Sequence, residues 1–90
     1  MNIPVVNMKQ TGQNIIAMRS QRGISVKDLQ QLLGFSTPQA IYKWISGKSL
    51  PSLDNFIILS RLLHTSIEDI LVVDGDIVRF MGIYFKLPVQ

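Results

Sequence analysis

From Ile24 to Leu50 the chain reads ISVKDLQQLLGFSTPQAIYKWISGKSL, two short runs with apolar residues at helical spacing, separated by Gly34-Phe35-Ser36. Leu29, Leu32 and Leu33 form the inward stripe of the first run, and Ile41, Trp44 and Ile45 that of the second. Gly34 supplies the positive φ usually needed just past a helix C-terminus, and Phe35 plugs the turn into the core between the two helices. A pair joined this tightly holds its second helix at a steep angle, with Gln39, Tyr42 and Lys43 turned away from Ile41 and Trp44.

The flanking sequence supplies more helices. A first helix is expected from Thr11, which caps it, with Ile15 and Met18 inward, Arg19 and Arg22 near its C-terminal end and Gly23 stopping it. Ser25 caps the second helix, with Asp28 at N3 complementing the positive end of the dipole. Ser36 or Thr37 is expected to cap the third, placing Pro38 in its first turn, where the missing N–H costs nothing. Gly47 ends that helix. A fourth runs over about 52–63, and its apolar residues cover more than one core-facing stripe, so part of that surface calls for a second partner. His64 reads as a C-terminal cap residue, and Ser66 caps a short fifth helix reaching Leu71.

Both ends look extended. Ile3-Pro4-Val5-Val6 suits an edge strand or coil. Beyond the turn-like Asp74-Gly75-Asp76, the run IVRFMGIYFKL reads as a strand. Along it Ile77, Met81, Ile83 and Phe85 alternate with Val78, Phe80 and Tyr84, so neither side is cleanly polar and the strand should be covered. Pairing with the N-terminal arm or with a dimer mate would serve.

Composition narrows the function. The 90 residues support one domain, with no Cys and only His64 as a potential imidazole ligand. That argues against disulfides, thiolate metal sites and a zinc centre, and the scattered carboxylates offer no acid–base pair at recognisable spacing, so an enzyme is not expected. Met1-Asn2-Ile3-Pro4 lacks the form of a signal peptide, and no apolar run approaches the ~20 residues of a membrane span. A cytoplasmic protein is expected. The net charge of +3 is unevenly placed: residues 1–50 carry Lys9, Arg19, Arg22, Lys27, Lys43 and Lys48 against Asp28, a local +5, while residues 51–90 carry −2. The basic half is the half holding the paired helices, as expected of a surface that neutralises phosphates.

Taken in order, Ile15, Met18, Arg19 and Gly23, then Leu29 and Leu32-Leu33-Gly34, then Ile41, Trp44 and Gly47-Lys48, followed by Leu50-Pro51-Ser52, Leu63, Ser66 and Ile70, resemble the phage-repressor-like, or XRE-type, helix-turn-helix domain. The resemblance implies a mainly α fold: a five-helix bundle over 11–71, with the helix-turn-helix proper at 25–46, inside a single domain of 1–90. Residues 72–90 remain as a C-terminal strand and tail. It also places the family's DNA-contacting positions at Thr37, Gln39, Tyr42 and Lys43. Gln39 suits adenine N6 and N7, Lys43 suits guanine or a phosphate, and Tyr42 a phosphate or a thymine methyl. Ser25, Thr37 and Lys48 suit phosphate positioning, while Arg19 falls where family members often form structural salt bridges and is open to either job. Trp44 is a core residue.

Three departures from the family pattern fall inside the motif. The stretch from Gly34 to Ile41 is one residue longer than the commonest spacing, which lengthens the turn or shifts the helix start. Val26 replaces a frequent DNA-contacting Gln. Gln30 stands where a small residue usually lets the helices approach, so it must bend outward or alter the crossing angle. The resulting expectation is a sequence-specific DNA-binding regulator, a repressor that binds double-stranded DNA at a pseudo-palindromic operator as a homodimer without metal or cofactor. The alternative is an antitoxin or adaptor that binds a toxin or other polypeptide through the apolar tail.

Overall fold

In the computed structural model, which describes residues 4–75, 77–80 and 83–86, the first helix begins a turn before Thr11. α1 (Met8–Gln21) is capped by Asn7, whose Oδ1 accepts the Gln10 N–H at 2.9 Å. The expected cap at Thr11 is therefore corrected. Thr11 is 1 % exposed, and its Oγ1 accepts the Val72 N–H at 3.0 Å. Asn7 is selected as the cap because the rest of it is bound too: its N–H donates to the Val72 carbonyl and its Nδ2 to Asp74 Oδ2, at 2.7 and 3.0 Å.

Those contacts define the far side of the domain. Val5–Val6 (β1) pairs antiparallel with Val73–Asp74 (β2), matching Val5 with Asp74 and Val6 with Val73. The arm thus pairs with the segment leaving the last helix, and not with the later tail. Asn14 Nδ2 adds a bond to the Ile70 carbonyl at 3.0 Å. Both chain ends of the bundle are tied at one corner.

Between them run α2 (Val26–Leu32), α3 (Gln39–Ile45), α4 (Leu53–Leu62) and α5 (Ile67–Ile70), which with α1 make five helices among the described residues. Every helix sends at least one residue into a single core; on α2 that residue is Leu29, while Leu32, expected to face inward beside it, is 56 % exposed. Ile15, Leu29, Ile41, Trp44, Phe56, Leu59, Leu63 and Ile70 are buried together, with Phe35 edge-on to Trp44 at a centroid distance of 5.8 Å. The α1–α3 crossing is tight. A Cβ at Gly12 would fall against the backbone carbonyl oxygens of Trp44 and Ile45, 2.6 Å from the latter, so only glycine fits. Gly47, at φ 78°, closes α3, and a Cβ there would lie 2.8 Å from Lys9 Cα.

The end of α4 uses the same left-handed closure without glycine. His64 adopts φ 52°, donating its N–H to the Arg61 carbonyl while the Thr65 N–H reaches the Ser60 carbonyl, which makes it the cap residue expected there. On α4, Phe56, Leu59 and Ser60 are buried, whereas Leu53, Ile57 and Ile58 are 70, 43 and 39 % exposed, leaving uncovered the surplus apolar surface that the sequence pattern implied.

The tail departs from a single strand. Ile77–Phe80 (β3) and Ile83–Lys86 (β4) pair with each other as an antiparallel hairpin, forming a sheet separate from the β1–β2 ribbon. Met81, assigned to one side of a continuous strand from the sequence, lies outside the described residues. Among the described residues, no helix is long and apolar enough to cross a membrane.

Candidate nucleic-acid interface

The interface is built on the connection between α2 and α3. Ser25 caps α2 through a reciprocal pair of bonds: its Oγ accepts the Asp28 N–H at 3.0 Å, and Asp28 Oδ2 accepts the Ser25 N–H at 2.9 Å. These bonds to Ser25 hold the Asp28 carboxyl below its ordinary pKa of 3.8. The Ser25 hydroxyl proton is left over to donate outward, at the positive end of the helix, which suits a phosphate.

The longer spacing after Gly34 goes into the turn. α2 ends at Leu32 and α3 starts at Gln39, with Pro38 in the cap position at φ −85° and ψ 5°. Neither Ser36 nor Thr37 caps α3, since no side chain bonds its N-terminus. The Pro38 carbonyl instead accepts the Tyr42 N–H at 3.1 Å, so proline sits one position earlier than expected. Its near-helical φ and ψ lead the chain into the helix without a side-chain acceptor.

Gln30 explains how a longer turn stays rigid. It is half-buried, and its Nε2 donates to the Phe35 carbonyl at 3.3 Å, while its own carbonyl accepts the Phe35 N–H at 2.9 Å. The side chain turns back onto the connection and does not bend outward. It clamps the turn residue that packs on Trp44, a role that local spacing in the sequence did not reveal.

With that turn fixed, Gln39, Tyr42 and Lys43 form one exposed face of α3, opposite buried Ile41 and Trp44, and Tyr42 is 55 % exposed. Residues three and four apart have Cβ atoms only ~5–6 Å from one another, so the amide, phenol and ammonium groups can address neighbouring positions on one ligand. Thr37 is exposed just before the helix. Lys48 is exposed at the other end, where its N–H closes α3 on the Lys43 carbonyl at 2.9 Å, about 10 Å along the axis from Gln39. Arg19 faces inward: Nη1 donates to the Ile24 carbonyl at 3.3 Å and Nε is buried without a hydrogen-bond partner. It braces the loop that carries Ser25. Lys27, exposed in the first turn of α2 beside Ser25, joins the same surface. It was readable only as part of the basic N-terminal half. Among the described residues, no group of His, Cys, Asp and Glu side chains could hold a metal.

A family model described as helix-turn-helix matches residues 15–70. The chain belongs to the XRE-type helix-turn-helix family. Solved structures agree with that assignment in fold. The DNA-binding domain of BldD superposes with a TM-score of 0.61 at 16 % identity, covering 73 % of this chain and 94 % of that one. The restriction-modification controller protein C.AhdI from Aeromonas hydrophila gives 0.62 at 22 % identity, over 70 % and 94 % of the two chains. Hydroxypropylphosphonic acid epoxidase from S. wedmorenis gives 0.66 at 20 % identity over 91 % of this chain, which spans only 42 % of the epoxidase. No curated protein sequence matches the chain. For an XRE-type helix-turn-helix domain, the exposed face of α3 is the expected reading surface, and the structure presents it on a clamped turn.

Proposed function

We propose that this DNA-binding regulator is a cytoplasmic repressor that occupies a pseudo-palindromic operator as a homodimer, without metal or cofactor. The observation that carries the reading is the exposed Gln39–Tyr42–Lys43 face of α3, directly opposite the Ile41 and Trp44 core contacts. A short helix inserted by its N-terminal half puts Gln39 against base edges, and its amide matches the donor–acceptor pair of adenine in the major groove. Lys43 reads guanine or engages the backbone. Tyr42 packs on a thymine methyl or bonds a phosphate.

Ser25, Thr37, Lys27 and Lys48 set the register through phosphates on either side, and Arg19 holds the α2 N-terminus in position. The likeness to a restriction-modification controller and to a DNA-binding domain supports the regulatory reading. The antitoxin or adaptor alternative rests on the apolar composition of the tail alone.

Selection of bound sequences from a random DNA pool tests the reading directly and should recover a palindrome. Against the selected site, Gln39→Ala should cost about 1–3 kcal/mol and relax preference at one base position, whereas a phosphate-only Lys43 would lower the salt slope by about one when replaced by Ala. Unchanged binding by the Gln39→Ala, Lys43→Ala double variant would remove α3 from the interface.

A further inference from the structure

The two ends of α3 are held by different means. At the C-terminal end the grip is backbone on backbone: a Cβ at Gly12 would lie 2.6 Å from the Ile45 carbonyl oxygen, and one at Gly47 would lie 2.8 Å from Lys9 Cα, so α1 locks that end in place. The N-terminal end, where Gln39 is exposed, has no such grip. No side chain caps it, and among the described residues the N–H groups of Ser36 and Thr37 donate to no backbone carbonyl.

The connection into α3 is anchored instead at one residue, Phe35, four positions before Gln39. Its ring lies edge-on to Trp44, its N–H donates to the Gln30 carbonyl and its own carbonyl accepts Gln30 Nε2. These contacts do separable jobs. The N–H bond joins main chain to main chain and closes the end of α2 whatever residue stands at position 30. The ring keeps Phe35 packed on the core. The amide bond fixes a direction: the Phe35 carbonyl belongs to a rigid peptide plane, so holding its oxygen fixes ψ of Phe35 and with it the course on which the chain sets out for α3. Among the described residues no backbone N–H reaches that carbonyl, which leaves Gln30 as its partner.

We propose that Gln30 is a positioning residue for base reading, setting the pose in which Gln39 meets the base through its hold on the Phe35 carbonyl, an assignment that rests on the operator-binding reading. A lever makes the effect large. Four extended residues span at most about 13 Å, and at half that span a rotation of ~10° at Phe35 displaces Gln39 by about 1 Å. Hydrogen bonds to a base edge hold only between about 2.7 and 3.2 Å, so a displacement of that size breaks a bidentate amide contact. Phosphate contacts made by flexible lysines absorb it.

The test compares variants of the full chain by selection from a random DNA pool and by binding to the recovered site. Gln30→Met keeps the reach of the side chain without its N–H donors, and Gln30→Ala removes the amide together with the bulk. Both should keep their helical circular dichroism and should lower discrimination by about threefold or more at the base position that Gln39→Ala loses, while the salt slope, which counts phosphate contacts, is unchanged. Adding Gln30→Met to Gln39→Ala should cause no further loss there, because a residue acting through Gln39 then has nothing left to position. Thr11→Val, at the opposite corner, is the control for lost stability and should leave the base preference as in the wild type.

A Gln30→Met preference that matches the wild type, or losses that add to those of Gln39→Ala, would reduce Gln30 to a stabilising role and overturn the assignment. A changed preference in Gln30→Ala that Gln30→Met lacks also overturns it, since volume and not the bond would then be responsible, as does a Gln39→Ala variant that loses no base position. A wild type that recovers no preferred sequence sinks the operator reading and this assignment with it, whereas a clear wild-type preference that Gln30→Met reproduces sinks the assignment alone.

Discussion

The reading head and the opposite corner of the domain are held by bonds of very different reach. Around α2 and α3 the side-chain hydrogen bonds span three to five residues: Ser25 with Asp28, Gln30 with Phe35, Ser46 with Lys43. At the base, Asn14 reaches Ile70, Thr11 reaches Val72 and Asn7 reaches Asp74, over 56, 61 and 67 residues. Local bonds shape a segment but do little to hold a domain closed. Long-range bonds carry the loop-closure cost of the whole bundle, so removing one releases the two ends together. Shape at the interface and stability of the fold are thus separable in this small protein.

The sharpest way to break the comparison is at the α1–α3 crossing, where the two regions meet. Gly12→Ala drives a methyl into two backbone carbonyls that cannot swing aside, and should cost about 3 kcal/mol, lowering the melting midpoint by roughly 10–20 °C. A drop of only a degree or two would show slack in the crossing. Next comes Thr11→Val, which keeps the shape but leaves the Val72 N–H without its acceptor. It should cost about 2 kcal/mol in urea denaturation and speed amide exchange at Val72 while sparing DNA contacts.

The smallest effect belongs to the local side. Ser25→Ala removes a cap worth about 1 kcal/mol, and if it destabilised more than Thr11→Val the contrast between the regions would fail. Asp28 adds a pH signature. Its folded pKa lies below 3.8, so its contribution is present at neutral pH and lost as pH falls from the ordinary carboxylate range through that lowered value. Acid titration of Asp28→Asn should accordingly show a shallower decline in stability between pH ~4 and the lowered pKa than the parent protein does.

Legibility followed the same division. The caps at Ser25 and Ser66, the closures at Gly34 and Gly47, the core roles of Ile41 and Trp44 and the outward phase of Gln39 and Lys43 all depend on neighbours within one or two turns. The start of α1 did not. Thr11 and Asn7 are both competent caps, and only the contacts of Asn7 with Val72 and Asp74 decide between them. The role of Gln30 depends on tertiary geometry in a related way: its identity suggests a steric matter at the helix crossing, while the folded turn brings the Phe35 carbonyl to its amide.

The sequence by itself determined that this chain makes a helix-turn-helix inside a five-helix bundle and which face of α3 looks outward, because helical periodicity, caps and glycine closures are settled within a few residues. Tertiary structure decided where α1 begins, which segment the N-terminal arm pairs with, how the longer turn is clamped and how the tail folds back on itself. Each of those depends on a partner distant in the chain or on a pairing register, and a one-residue change of register exchanges the two faces of a strand without altering its composition.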